Sequence, residues 1–501
     1  MAQQRQSTIE DLILTRGLDA VIRNANPWWA GVDRLDVPPF RRWPFDAVLH
    51  GLKKGLAPSV VLRGPRQVGK TTLLNQVIDH LLSEGVDPAL IFRLQFDDLP
   101  DLRRLTMPII ELCDWYAASV LGKSFHEAAR SGRQPFIFLD EVENLADWAP
   151  QLKSVVDLNP VRVMVTGSSA LRIEAGRDSL AGRMSTIEMG PLLLREIAKV
   201  RGFGLVEPLL PPNGLSPLKD RSFWAELRST GERDARLRQR EFEAFSARGA
   251  YPIAQLRTDE PWERVADFLN ETVIARAIQH DLRMGPHGQK RDEHLLAEVF
   301  RLACRYVGQA PDQKLYLEEL RQTMHAGPGW QRILSYLKFL DGTLLLRLIE
   351  PPELRLKKKR GPAKLCLCDH ALRAAWLQEV IPIAPADLAR SPHLADMAGR
   401  IADGAAGYFF RSIIGLDVSH YPQRGAEPEV DYVLTVGEQR IPVEVKYRRE
   451  IDPADTRGLR SFIEKAHHHA PFGVLVTLRD EPGSDDPRIV SLPLSTLLLM
   501  R

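Results

Sequence analysis

Two stretches of this sequence carry side chains at spacings that chemistry can use. GPRQVGKTT, residues 64–72, has the form GxxxxGK[ST]. Gly64 and Gly69 let the backbone curl until its N–H groups and the next helix N-terminus face phosphate oxygens, with Pro65, Arg66, Gln67 and Val68 filling the loop. Lys70 then reaches the β and γ phosphates of ATP, Thr71 offers a hydroxyl to Mg²⁺, and Thr72 completes the nucleotide-binding run. The second stretch, EVDYVLTVGEQRIPVEVKY at 429–447, reads as a β-hairpin that carries Asp431, Glu444 and Lys446 where a plain hairpin needs no charge. Residues two apart on a strand share a face, so Glu444 and Lys446 point together while Val443 and Val445 point into the core. The three charges are either a site or a wet sheet face held by cross-strand ion pairs.

Further residues extend the first site. PFIFLD ends in Asp140-Glu141. Asp140 can hold Mg²⁺ and Glu141 can orient an attacking water. VRVMVTG ends at Thr166, which can sense the γ phosphate or serve as a core-edge threonine. RDSLAGRM offers Arg177 and Arg183, either of which can be a surface residue or an arginine finger given in trans within a ring of subunits. A separate basic turn, ELRLKKKRGPAK at 353–364, packs Arg355, Lys357, Lys358, Lys359, Arg360 and Lys364 between two apolar strands. Lys357, Lys358, Lys359 and Arg360 can lie along a DNA backbone and add salt-dependent affinity, or form a solvated loop. His467, His468 and His469 are consecutive, cannot all face one metal, and read as a polar helix end; Cys366 and Cys368 read as core thiols.

These residues need strands and helices to hold them. From about 46 to 200, SVVLRG, ALIFRLQF, PFIFLD, VRVMVTG and STIEMG alternate with helical patterns, which predicts an α/β fold with a mostly parallel sheet. ALIFRLQF separates the phosphate loop from Asp140-Glu141, an order that fits the AAA-like branch better than small GTPases. The expected organisation is a helical lead-in at 1–45, a P-loop ATPase domain at 46–200, a Pro-containing linker at 201–240, a helical and winged-helix region at 241–392, and a mixed α/β domain at 393–501. Helix GWQRILSYLKFLDG followed by strands TLLLRLI and AKLCLCD carries the winged-helix expectation. The 501 residues suggest roughly three domains. Lys and Arg number 67 against 65 Asp and Glu, so a net charge of +2 leaves local patches to decide partners. Four cysteines without CxxC pairs, a polar N-terminus and no run of about 18 apolar residues point to a cytoplasmic protein with no membrane span.

The elements LRGPRQVGKTTLL, FIFLDEVENL, VMVTGSSALRI, SLAGR, GAYP and LCLCDHAL resemble the prokaryotic AAA-type ATPases of the P-loop ASCE branch, whose C-terminal domain of unknown function is related to PD-(D/E)xK nucleases. The resemblance runs from about Phe40 onward. It implies a P-loop AAA-like domain, a helical and winged-helix middle and a nuclease-like end. In such nucleases an Asp and a Glu-x-Lys on adjacent strands join two carboxylates to one ammonium; here these are Asp431, Glu444 and Lys446. The carboxylates would bind a second Mg²⁺ or Mn²⁺ and Lys446 would serve catalysis. Asp403 stands where a longer Glu completes the ligand set. The reading is a homo-oligomeric, Mg²⁺-dependent ATPase acting on DNA, with slow metal-dependent cleavage at the C-terminal end. The alternative is a nucleotide-controlled switch or scaffold that binds a protein partner through an inactive nuclease-like domain.

Overall fold

The five apolar runs between residues 59 and 188 become five parallel strands: β1 Ser59–Arg63, β2 Ile91–Gln95, β3 Phe136–Asp140, β4 Arg162–Gly167 and β5 Met184–Glu188. The structure is a computed structural model that describes residues 16–96, 105–145, 147–168, 180–205, 207–211, 214–281, 292–324, 327–352, 361–423, 425, 427–480 and 484–501. Its chain divides into two units, residues 1–65 with 69–189, and residues 66–68 with 190–501.

In the first unit the strand order is β2-β3-β4-β1-β5. Every residue of β1 and β3 is buried, which is why these segments read as unbroken apolar runs rather than alternating ones. β4 lies between β1 and β3, pairing Arg63 with Gly167 and Leu139 with Val165. That register brings the C-terminal ends of all three strands to one edge of the sheet. The Trp-rich lead-in closes the outer side of β2. Asn26 accepts from the Arg93 N–H at 2.7 Å and donates to its carbonyl at 2.8 Å, and the Trp28 and Trp29 indoles both donate to the Ile91 carbonyl. Side chains thus take the place of a neighbouring strand along the first half of that edge. Trp29 and Phe92 stack on Tyr116, with ring centroids 5.9 and 4.4 Å away.

In the second unit the helix Trp330–Gly342 leads into an antiparallel pair, β6 Leu346–Ile349 and β7 Lys364–Leu367, as the helix-then-wing pattern predicts. The wing tip, residues 353–360 with Lys357, Lys358, Lys359 and Arg360, lies outside the described residues. A mixed sheet follows in the order β12-β11-β10-β9-β8, comprising β8 Asp417–Tyr421, β9 Val430–Val436, β10 Gln439–Lys446, β11 Gly473–Thr477 and β12 Ile489–Pro493. The hairpin β9–β10 and strand β11 were legible in the sequence. β8 and β12 were not, because each is short and carries polar residues, Ser419 and His420 in one and Ser491 in the other.

Residues 221–240 fall within the expected linker bounds of 201–240 but also in the stretch from 221 onward whose pattern reads as helices, and they form the helix Arg221–Arg233 and the start of Ala235–Arg248. Phe223, Trp224 and Leu227 make one buried face, and Arg238 binds Asp480 with both terminal nitrogens at 2.6 Å. The histidine triplet is also not uniformly polar. His468 is buried against Phe462, centroids 3.9 Å apart, while His467 and His469 stay exposed. Cys366 and Cys368 are buried and free. Among the described residues no helix is long and apolar enough to cross a membrane.

The GAYP and LCLCDHAL segments meet in this unit. Asp369 accepts from the Ala250 N–H at 2.6 Å and caps the next helix through the Ala371 N–H at 3.0 Å. Gly249 sits at φ +71°, and a Cβ there would overlap both Ala371 Cβ and Asp369 Oδ1. Gly249→Ala therefore adds backbone strain and steric overlap at once. It should cost about 2–4 kcal/mol, read as a fall in thermal midpoint of several degrees by scanning fluorimetry.

Candidate functional sites

The phosphate loop leaves β1 and enters the helix Lys70–Ser83 through two residues with positive φ, Gln67 at +62° and Gly69 at +95°. The second value is accessible to glycine without strain, which explains its place in the motif. Lys70 is buried, with its ammonium folded back on the loop carbonyls of Gly64 and Pro65 at 3.0 and 2.9 Å. Thr71 Oγ1 donates to Asp140 Oδ1 at 3.1 Å. Thr166 donates to the same oxygen, and its own hydroxyl accepts the Glu141 N–H at 3.1 Å. β4 can do this because it sits beside β3, so Thr166 arrives next to the acidic pair. Glu141 is held at φ +52°, a conformation that non-glycine residues rarely adopt outside over-determined sites.

Asp140 is fully buried and takes a third partner, Arg93 of β2, at 3.1 Å from Oδ2. The sequence reading did not single out Arg93. Its only signal was a charged residue in the middle of the apolar run ALIFRLQF. Arg183 is placed at the other end of the sheet: its carbonyl accepts from Ser59 N, the first residue of β1, and its guanidinium pairs with Asp157. It is remote from the loop of its own chain. Arg177 lies outside the described residues. Thr71 and Asp140 form an all-oxygen donor set beside a loop shaped for phosphate, so these residues fit Mg²⁺ and a nucleotide.

The second unit brings Asp403, Asp431, Glu444 and Lys446 into one neighbourhood, around a residue the sequence had placed in the basic turn. Lys364, the first residue of β7, is 2 % exposed and sends its ammonium to Asp403 Oδ2 at 2.8 Å and Asp431 Oδ1 at 2.7 Å. The ammonium also lies over the Tyr432 ring, 4.7 Å from its centroid. Tyr432 in turn donates to the Asp403 carbonyl at 2.9 Å. Asp431 Oδ2 accepts the Val445 N–H at 2.9 Å, and Lys446 pairs with Glu444 at 2.6 Å. Lys364, Asp403, Asp431 and Lys446 line a groove of about 800 Å³ together with Arg400 and His420.

Burial disfavours the Lys364 ammonium, yet Asp403 and Asp431 outweigh it and raise its pKa. Burial pushes Asp403 up to about 7 against the pull of Lys364. Asp431 is held below the usual carboxylate range despite burial, because Lys364 and Lys446 both stabilise its charge. Glu444 rises to about 8, through burial and the nearby Asp431 charge. The predicted second Mg²⁺ or Mn²⁺ does not fit this arrangement. Its first two ligands already hold an ammonium between them, Glu444 turns to Lys446, and among the described residues no group of three His, Cys, Asp or Glu side chains can hold a metal ion. The missed signal was again a lone charge beginning an apolar strand, AKLCLCD.

Residues 57–198 match a family described as AAA domain, and residues 409–497 match one described as a domain of unknown function, DUF4143. The first match makes that region an AAA-type P-loop domain; the second names no nuclease. An uncharacterized protein of Methanocaldococcus jannaschii is 24% identical over 397 residues, 78% of this chain and 74% of its own length. Uncharacterized proteins of Mycobacterium bovis and Mycobacterium tuberculosis are each 29% identical over 164 residues, 32% of this chain and 30% of theirs. Among solved structures, the Aeropyrum pernix ORC1 protein in complex with DNA is 16% identical at a TM-score of 0.26, over 70% of this chain and 96% of that one. The S. cerevisiae Hsp104–ADP complex is 15% identical at a TM-score of 0.29, over 63% of this chain and 41% of that one.

The raised Glu444 carboxyl gives the second unit a pH dependence. Its pKa is about 8 when folded against 4.5 when unfolded. Its contribution is fully present below the unfolded value and is lost as pH rises through the folded one. Stability should fall across pH 5–8 with a slope from this group of at most about 1.4 kcal/mol per pH unit. Glu444→Gln, which keeps an acceptor for Lys446, should flatten that slope in urea titrations at pH 5.5, 7 and 8.

Proposed function

We propose that this protein is a Mg²⁺-dependent ATPase that acts on DNA as a homo-oligomer in the cytoplasm. The observation that carries the ATPase reading is the convergence of Thr71, Thr166 and Arg93 on the buried Asp140, with Glu141 next in sequence. In this reading the loop N–H groups and Lys70 hold the β and γ phosphates, Lys70 leaving the Gly64 and Pro65 carbonyls for the nucleotide. Thr71 and Asp140 hold Mg²⁺, which when bound offsets charge developing on the phosphates. Glu141 orients the attacking water and accepts its proton, and Thr166, bonded to both acidic residues, senses the γ phosphate. In this reading the arginine finger is Arg183 or Arg177, acting in trans on the nucleotide of a neighbouring subunit; Arg183 sits at the far end of β1 from its own phosphate loop.

Support for DNA comes from the second unit, where a helix precedes an antiparallel strand pair and the sequence between those strands carries KKKR. The four free, buried cysteines suit a reducing compartment. The Lys364 ammonium between Asp403 and Asp431 favours the second reading for the C-terminal domain, a nuclease-like fold that grips a partner rather than cutting it.

ATP turnover measured with and without duplex DNA tests the proposal. Lys70→Ala should abolish nucleotide binding or turnover, while Glu141→Gln should keep ATP bound and slow hydrolysis by about 10²–10⁴-fold. Unchanged turnover in both variants overturns the ATPase; turnover indifferent to DNA, with a stable protein complex, favours the scaffold. Replacing Lys357, Lys358, Lys359 and Arg360 by Ala should weaken binding alike for all DNA sequences and flatten its salt slope. Isotherms that coincide across a salt series would make the wing tip a solvated loop.

A further inference from the structure

A cation placed between two buried carboxylates is what a divalent metal site provides, and here the chain supplies that cation itself. Lys364 Nζ is bonded to Asp403 Oδ2 and Asp431 Oδ1, the two oxygens a bridging metal would need, and the Tyr432 ring closes a third side. The lysine does not reach in from a free loop. It begins β7, its side chain is 2 % exposed, and it is paired across the wing with Ile349. An ammonium fixed in this way repels a second cation at the same place, and moving it out would leave a buried charge without partners. Around it two carboxylate oxygens, Asp403 Oδ1 and Glu444 Oε2, are buried without a hydrogen-bond partner among the described residues. They are donors in reserve, able to turn to a metal only when the ammonium is gone.

We propose that Lys364 is a built-in substitute for a divalent metal: it keeps Mg²⁺ and Mn²⁺ out of the second unit, and its removal creates a metal site on Asp403 and Asp431. The domain then holds a cation between two buried carboxylates without taking up a metal. The same ammonium fastens the return strand of the wing to the helix Ala395–Arg411, which carries Asp403, and to β9, which carries Asp431.

Mn²⁺ binding followed by electron paramagnetic resonance tests this, using the full chain without nucleotide and with Asp140→Asn to remove the donor in the first unit. With Lys364 intact, no Mn²⁺ should bind with a Kd below about 1 mM in a manner that Asp431→Asn abolishes. Lys364→Met should gain one Mn²⁺ with a Kd of about 10⁻⁴–10⁻³ M, and Asp431→Asn added to it should remove that ion. Lys364→Arg, which keeps the positive charge, should stay closed. Asp431-dependent Mn²⁺ in the protein with Lys364 intact overturns the proposal. So does a Lys364→Met protein with native circular dichroism that gains no ion, because the carboxylates alone would then be excluding metal. If Lys364→Met loses its native spectrum, the intact protein and Lys364→Arg decide the question, since Asp431-dependent Mn²⁺ in either refutes exclusion by the ammonium.

Discussion

A charge removed from water must find partners within the protein, and both sites of this molecule are organised by that requirement. Asp140 is fully buried and is reached by two hydroxyls and a guanidinium. Lys364 is nearly as buried and is reached by two carboxylates and an aromatic face. Leaving either without its partners would cost several kcal/mol. Each buried charge therefore fixes the elements that carry its partners. For Asp140 these are the phosphate-loop helix, β4 and β2; for Lys364 they are the helix Ala395–Arg411 and β9.

The surrounding architecture serves these arrangements. In the first unit, β4 must lie between β1 and β3 for Thr166 to reach Asp140, and the lead-in must hold β2 for Arg93 to do so. Asn26 and the two indoles do that by bonding the backbone at Ile91 and Arg93. Glu141 keeps a left-handed backbone in this setting, its N–H tied to Thr166. In the second unit, Tyr432 both faces the Lys364 ammonium and bonds the backbone of Asp403, so one aromatic residue fixes both members of an ion pair. These are short-range constraints on polar groups inside an apolar frame, and they leave little freedom for the groups to move separately.

Local pattern determined much of this. The phosphate loop could be read from sequence because its chemistry is contiguous: glycines, lysine and threonine act at fixed spacing on one turn and one helix end. The central strands β1, β3 and β4 of the first sheet were legible because burial on both faces leaves largely unbroken apolar runs. Glu444 and Lys446 could be placed on one face because strand periodicity is exact over two residues. Tertiary structure alone decided which distant charges meet. Arg93 and Lys364 each stood as one charged residue in an apolar strand, and nothing local says whether such a residue turns to solvent or to a buried carboxylate 47 or 67 positions away. The same holds at the hairpin: the sequence supplied Asp403, Asp431 and Glu444, but only tertiary packing placed the Lys364 ammonium between Asp403 and Asp431. Ion pairing depends on distance in space, which strand order and register set and sequence separation does not.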